Sequence, residues 1–217
     1  KKDFGIYPTV ENDINLVTVG EQSAGHGVGI DNFAVLSVGS GLGSGIVLNG
    51  KLHRGHRGAA GEVFYVPFGD PHDTHRSATN PSGDRIAEIT RELAKKIKKS
   101  TLVEPYSTIE ILKAAKDGDA LGRAVIDQEA ERIALYIAAL SAIVDVELVV
   151  LSGGIGRQAD FFIAPIRKLV NEILPFPPKI EVSKLGDSGI LVGALQVATA
   201  QACDLVFQTQ TGGIPKP

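Results

Sequence analysis

The chain has 217 residues, 43% apolar and 22% charged, with a net charge of −3. That is the balance of a soluble globular protein with enough chain to bury a substantial core as one large domain or two small ones. The negative charge argues against nucleic-acid binding by this stretch, which needs clustered Lys and Arg, and the single Cys203 excludes an intrachain disulfide or a cysteine-based zinc site.

Few cysteines, no signal peptide and no long apolar stretch predict a cytoplasmic protein without membrane association. Lys1-Lys2 runs directly into a strand-like segment and the sequence contains no Met. A piece of a longer chain is therefore expected.

In chain order, the first signal is "TVENDINLVTVGE", residues 9 to 21. Asn12 or Asp13 is a favoured N-cap for a helix through Leu16, Val17 and Val19. One cap does not account for Glu11, Asn12 and Asp13 together, so the cluster is also a candidate site. Phe33 to Val38 is an apolar run, followed by glycines and by Ile46 to Leu48. Asn49-Gly50 then gives the strongest short hairpin signal, with Lys51-Leu52-His53 opening the next segment. Pro67 to Gly83 is a loop without periodicity.

A helix is expected from Asp84 to Lys99, with Ile86, Ile89, Leu93 and Ile97 on one face. The basic run Arg91 to Lys99 lies on it as a solvated face. Ser107 with Glu110 forms a capping box for another helix. Leu121 to Val144 repeats apolar residues at helical spacing and is the longest expected helix. A buried strand over Leu148 to Leu151, a helix from Phe161 to Leu174, a short strand over Ile180 to Val182 and a closing helix from Ile190 to Ala202 follow. Strands alternating with long helices indicate an α/β domain, here residues 1–207, with 208–217 as a tail.

Three glycine turns sit at predicted strand or helix edges. "VGSGLGSGIVLNG" puts Gly39, Gly41, Gly43 and Gly45 at alternate positions, where missing side chains let backbone N–H groups approach an anion. It fits neither the dinucleotide nor the P-loop pattern, and a tight Gly-rich hairpin is the competing reading. Gly153-Gly154 ends the buried strand, where open α/β sheets place ligands. Ser188-Gly189 precedes an apolar helix whose N-terminus can accept an anion or a ring edge. Together they are expected to converge on one nucleotide-like cleft.

The order END-x-N, G-x-G-x-G-x-G-I-V-x-x-G, L-x-R-G-x-x-G-A-A-G-E, L-S-G-G and G-x-x-x-G-A resembles the ROK family, from Pro8 to Ala202. The string "LHRGHRGAAGE", Leu52 to Glu62, is its most specific part. That family comprises repressors and sugar kinases of the actin-like ATPase superfamily. The resemblance implies the ribonuclease H-like C-terminal lobe of that fold. It also implies that Asn12 and Asp13 contact sugar hydroxyls, that Asp13 takes the proton from the attacking hydroxyl in a kinase, and that Glu62 is another sugar ligand. Gly39, Ser40, Gly41 and Gly43 match a phosphate motif, and Gly153 and Gly154 the adenosine-side motif.

The departures are informative. Family members carry a Gly-His pair two residues after the Glu, with a zinc-binding Cys knuckle beyond; here Phe64 and Tyr65 stand in its place and no Cys follows. His72 and His75 are expected to be solvated, with no structural zinc and no other metal site. A second sugar-binding Glu is missing, with Ala78 near its place. The family's first phosphate loop and most of its N-terminal lobe would precede Lys1, so this stretch alone is not expected to phosphorylate anything.

Three readings follow. The first is the effector and dimerisation domain of a sugar-responsive transcriptional regulator, binding a monosaccharide or sugar phosphate, with operator DNA contacted through an N-terminal winged helix absent from this sequence. The second is a fragment of an ATP- and magnesium-dependent sugar kinase; the third is a degenerate dimerisation module without ligand. A homodimer is expected through the apolar helices Leu121–Val144 and Phe161–Leu174.

Overall fold

The apolar runs pair into one five-stranded sheet in a computed structural model that describes residues 8–70, 72, 80–156 and 158–211. Helix α1 (Asp13–Ala24) precedes β1 (Phe33–Val38), β2 (Leu42–Leu48) and β3 (Lys51–Leu52). Then come α2 (Gly83–Ala94), α3 (Thr108–Lys116), α4 (Ala120–Val144), β4 (Leu148–Ser152) and the single turn α5 (Gly153–Gly156). The described chain closes with α6 (Ile163–Ile173), β5 (Lys179–Val182) and α7 (Gly189–Thr211). Strand order is β3-β2-β1-β4-β5; β1, β2 and β3 are antiparallel neighbours, whereas β4 pairs parallel with both β1 and β5.

Alternation along the strands sorts the core into two layers. Ala34, Leu36, Val38, Ile46, Val149 and Leu151 face a large cluster that holds Ile86 and Ile89 of α2, Ile111 of α3, the buried face of α4 and Ile166 of α6. Phe33, Val35, Val47, Leu148 and Val150 face the other way, onto Val17 of α1. The parallel pairing of β1 with β4 sets Ser37 opposite Ser152, so the turns that leave these two strands emerge side by side. Two hydrogen-bonded caps begin α3 and α4: Ser107 Oγ accepts from Glu110 N–H, and Asp119 Oδ1 from Leu121 and Gly122.

Several boundaries differ from expectation. Strand β2 begins at Leu42, so Gly43 and Gly45 are strand residues. A Cβ at Gly43 would press on the Ile14 side chain and one at Gly45 would overlap Thr18 Oγ1; glycine is there because α1 crosses β2 at close range. Asn49-Gly50 turns β2 into β3, with both residues at positive φ (51° and 71°). Helix α2 stops at Ala94, ahead of Lys95, Lys96, Lys98 and Lys99, whose like charges at helical spacing disfavour continuation. Helix α7 runs on past Ala202 to Thr211 because no Gly or Pro lies between Ala202 and Gly212. Four residues of the expected tail are thus helical; residues 212–217 lie outside the described residues.

The apolar surface is also elsewhere than expected. Most of α4 is buried within the monomer, including Ile133, Tyr136 and Ile137. The exposed apolar helix is α7, with Ile190, Leu191, Leu195, Leu205, Val206 and Phe207 all open to solvent. Among the described residues, Gly186–Phe207 is by length and composition long and apolar enough to cross a membrane, against the expectation of no long apolar stretch. Its other face lies backbone-to-backbone on α1: a Cβ on Gly193 would overlap the Leu16 carbonyl, and one on Gly20 would clash with that of Gly189. Gly193→Ala, ordinarily favourable in a helix, should therefore cost about 3 kcal/mol by overpacking, read as a lower denaturation midpoint.

Candidate functional site

Asn12 is the residue that caps α1. Its Oδ1 accepts from the N–H groups of Ile14 (2.9 Å) and Asn15 (3.4 Å), which leaves its amide N–H₂ for other partners. Asp13 occupies the first helical position, and its Oδ1 also accepts from Ile14 N–H (2.8 Å). A carboxylate there is stabilised by the helix's positive end. The opening cluster thus starts the helix while capping leaves the Asn12 amide N–H₂ and Asp13 Oδ2 unused.

Glu62 arrives from β3 through a glycine-rich turn. The Arg54 carbonyl accepts from Ala60 N–H (3.1 Å) and the Gly61 carbonyl from Ser44 N–H (3.0 Å), tying this turn to β2. Gly61 sits at φ +85°, and a Cβ there would overlap the Ser44 carbonyl oxygen, so no other residue delivers Glu62 this close to the sheet.

The glycine turns after β1 and β4 meet. A Cβ on Gly39 would lie 3.5 Å from Gly154 N, and Gly153 holds φ +82° against the Val38 carbonyl. The Gly39 carbonyl accepts from Gly83 N–H (2.8 Å), which anchors the start of α2 beneath the turn.

These pieces enclose one cleft of about 510 Å³, within the range of small-molecule sites. Asn12, Asp13, Gly39, Ser40, Gly41, Gly43, Glu62, Gly153 and Gly154 all line it, so the sequence-derived set comes together. The third glycine turn does not join it. Gly189 instead packs on Val17, and Ser188 Oγ donates to the Leu185 carbonyl (2.7 Å), which makes that turn a helix contact. Asn15, Ser37, Gly58 and Gly61 line the cleft as well and were not singled out from sequence, although Asn15 ends the END-x-N string.

No group of three or more His, Cys, Asp and Glu able to hold a metal ion occurs among the described residues. His75 and Ala78 lie outside them. Phe64 and Tyr65 meet edge to face at 5.7 Å between ring centres beside Glu62.

The ROK family profile matches residues 1–201. The chain belongs to the ROK family. Curated relatives include a glucokinase of Halalkalibacterium halodurans, 30% identical over 73% of this chain and 52% of its own. A xylose repressor of Caldicellulosiruptor bescii is 29% identical over 90% of this chain and 53% of its own. Among solved structures, a ROK family transcriptional regulator, a homologue of the E. coli MLC protein, superposes with a TM-score of 0.77 at 26% identity. That superposition covers 89% of this chain and 52% of the regulator. The chain spans about half the length of the curated relatives it matches. The relatives include both sugar kinases and a repressor, and the mixed sheet agrees with an actin-like ATPase fold.

Proposed function

We propose that this chain is the sugar-binding effector and dimerisation part of a ROK-family transcriptional regulator of the cytoplasm, with operator DNA bound by a winged helix elsewhere in the parent protein. The observation that carries the reading is that Asn12, Asp13 and Glu62, from two different elements, line one cleft. A monosaccharide or sugar phosphate offers a ring of hydroxyls, and an amide flanked by two carboxylates is the chemistry that grips them. The regulator branch is favoured by the Phe64-Tyr65-x-Pro67 string, which stands where family members carry a Gly-His pair. Pairing into a homodimer would hold two DNA-binding modules at a fixed spacing.

A specific observation favours the second reading, a sugar kinase. Asp13 shares its cleft with the Gly39–Gly43 and Gly153–Gly154 turns. The space between those turns, which a Cβ on Gly39 would enter, suits a nucleotide's phosphates. Magnesium ATP would supply the phosphoryl group, and Asp13 would accept the proton of the attacking hydroxyl. Asn12 and Glu62 would hold the sugar so that this hydroxyl faces Asp13.

The full-length protein decides between them. Isothermal titration with a panel of monosaccharides and their phosphates should find one that binds. A regulator releases its own promoter DNA on adding that sugar and forms no ADP from ATP; a kinase forms ADP. If no sugar binds, both readings fail.

A further inference from the structure

Resting on the sugar-binding reading, we propose that Asn15 is a further hydroxyl-reading residue of the cleft, held in the reading orientation by Glu11 and Arg54. Asn15 is in the first turn of α1, 5% exposed, and lines the cleft beside Asn12 and Asp13. Its amide Nδ2 donates to Glu11 Oε1 (2.9 Å). A carboxylate only accepts, so the amide must present N–H₂ to Glu11 and is barred from flipping. The carbonyl oxygen Oδ1 is then the end left over, and it accepts no hydrogen bond among the described residues. Asn12 commits its carbonyl oxygen to the helix, so Asn15 supplies the neutral acceptor that Asn12 cannot.

Glu11 has to stay put and stay charged for this to hold. The same Oε1 accepts from Asn12 N–H (3.1 Å), while Oε2 takes both Arg54 Nε (2.8 Å) and Nη2 (2.6 Å). Burial pushes the Glu11 carboxyl up, but the hydrogen bonds from Asn15, Arg54 and the Asn12 N–H outweigh it and leave its pKa lowered. Arg54 is the residue whose carbonyl anchors the turn leading to Glu62. The pair therefore also ties the strand-side wall of the cleft to the helix-side wall, across 43 positions of sequence. Glu11 and Arg54 are positioning residues, and Asn15 is the one that touches the ligand.

The test uses the full-length protein and isothermal titration with glucose, xylose and the singly deoxygenated analogues of each. Asn15→Ala should weaken the bound sugar about three- to tenfold, the worth of one neutral hydrogen bond. The loss should vanish for the one deoxy analogue that lacks the hydroxyl Asn15 reads. Glu11→Gln, which frees the Asn15 amide to flip, should reproduce that pattern, Arg54→Gln should do so more weakly, and Arg54→Lys should recover part of it. Unfolding temperatures of the Arg54 variants should hardly change, because Arg54 is half exposed. Equal weakening toward every analogue, or lowered melting with unchanged affinity, would make the trio purely structural and overturn the inference. Wild-type protein that binds a sugar while Asn15→Ala binds it equally well overturns the inference and spares the functional reading. Wild-type protein that binds none overturns both.

Discussion

Asp13→Asn in the full-length protein is expected to weaken sugar binding roughly ten- to a hundredfold while leaving the fold intact. The size follows from the loss of a charged acceptor, since a hydrogen bond between a hydroxyl and a carboxylate is worth about 1.5–3 kcal/mol. Asparagine is chosen because it keeps the Oδ1 that accepts from Ile14 N–H, so helix α1 retains its start. Only the favourable meeting of a negative charge with the helix N-terminus is given up, about 0.3–1 kcal/mol at an exposed position. Calorimetric titration measures the affinity and thermal unfolding checks the fold. Unchanged affinity would remove Asp13 from the site. If the parent is a kinase, the same substitution should remove turnover more completely than binding, because the base is then required in the transition state.

The residues that line this cleft were more legible in the sequence than the scaffold that holds them. Local signals survive folding: the cap at Asn12, the capping residue at Ser107, the Asn49-Gly50 turn and the long helical repeat of α4 depend on neighbours a few residues away. Strand β2 was read short because Gly43 and Gly45 have poor strand propensity, and their reason for being glycine is a helix that precedes them by some thirty residues. The Ser188-Gly189 turn has the composition of a ligand loop, but the demand it answers is close packing against α1. Long-range polar ties were equally hidden. Glu21 is fully buried and its carboxylate accepts from Ser183 Oγ (2.6 Å) and His26 N–H (2.9 Å), pinning the end of α1 to the segment after β5. A glutamate in an amphipathic helix gives no sign of that from sequence alone, nor did Glu11 of its contact with Arg54.

The largest effect of pH on stability is expected from a residue outside the cleft, Glu129. It lies in the middle of α4 with no exposed side-chain surface, and neither carboxylate oxygen has a hydrogen-bond partner among the described residues. Arg132 Nη1 approaches to 3.9 Å, too far for a hydrogen bond, and also donates to the Asn80 carbonyl at 3.3 Å. Burial therefore dominates, the Arg132 charge offsets it only partly, and the Glu129 pKa is pushed up from 4.5 to about 8. At neutral pH it is mainly the uncharged acid, so its proximity to Arg132 is not an ion pair. The sign follows from proton binding. Between pH 4.5 and 8 the native state holds a proton that the unfolded chain releases, so stability falls as pH rises through that window. The contribution is complete below the unfolded pKa and lost above the folded one. At 1.36 kcal/mol per pKa unit the difference is a few kcal/mol, about 3–5. Glu129→Gln is neutral at every pH and close in shape to the protonated acid. Its melting temperature should match the parent's at about pH 5 and exceed it by roughly 10 °C at about pH 9. Parallel curves for the two proteins across that range would show that Glu129 does not titrate on unfolding.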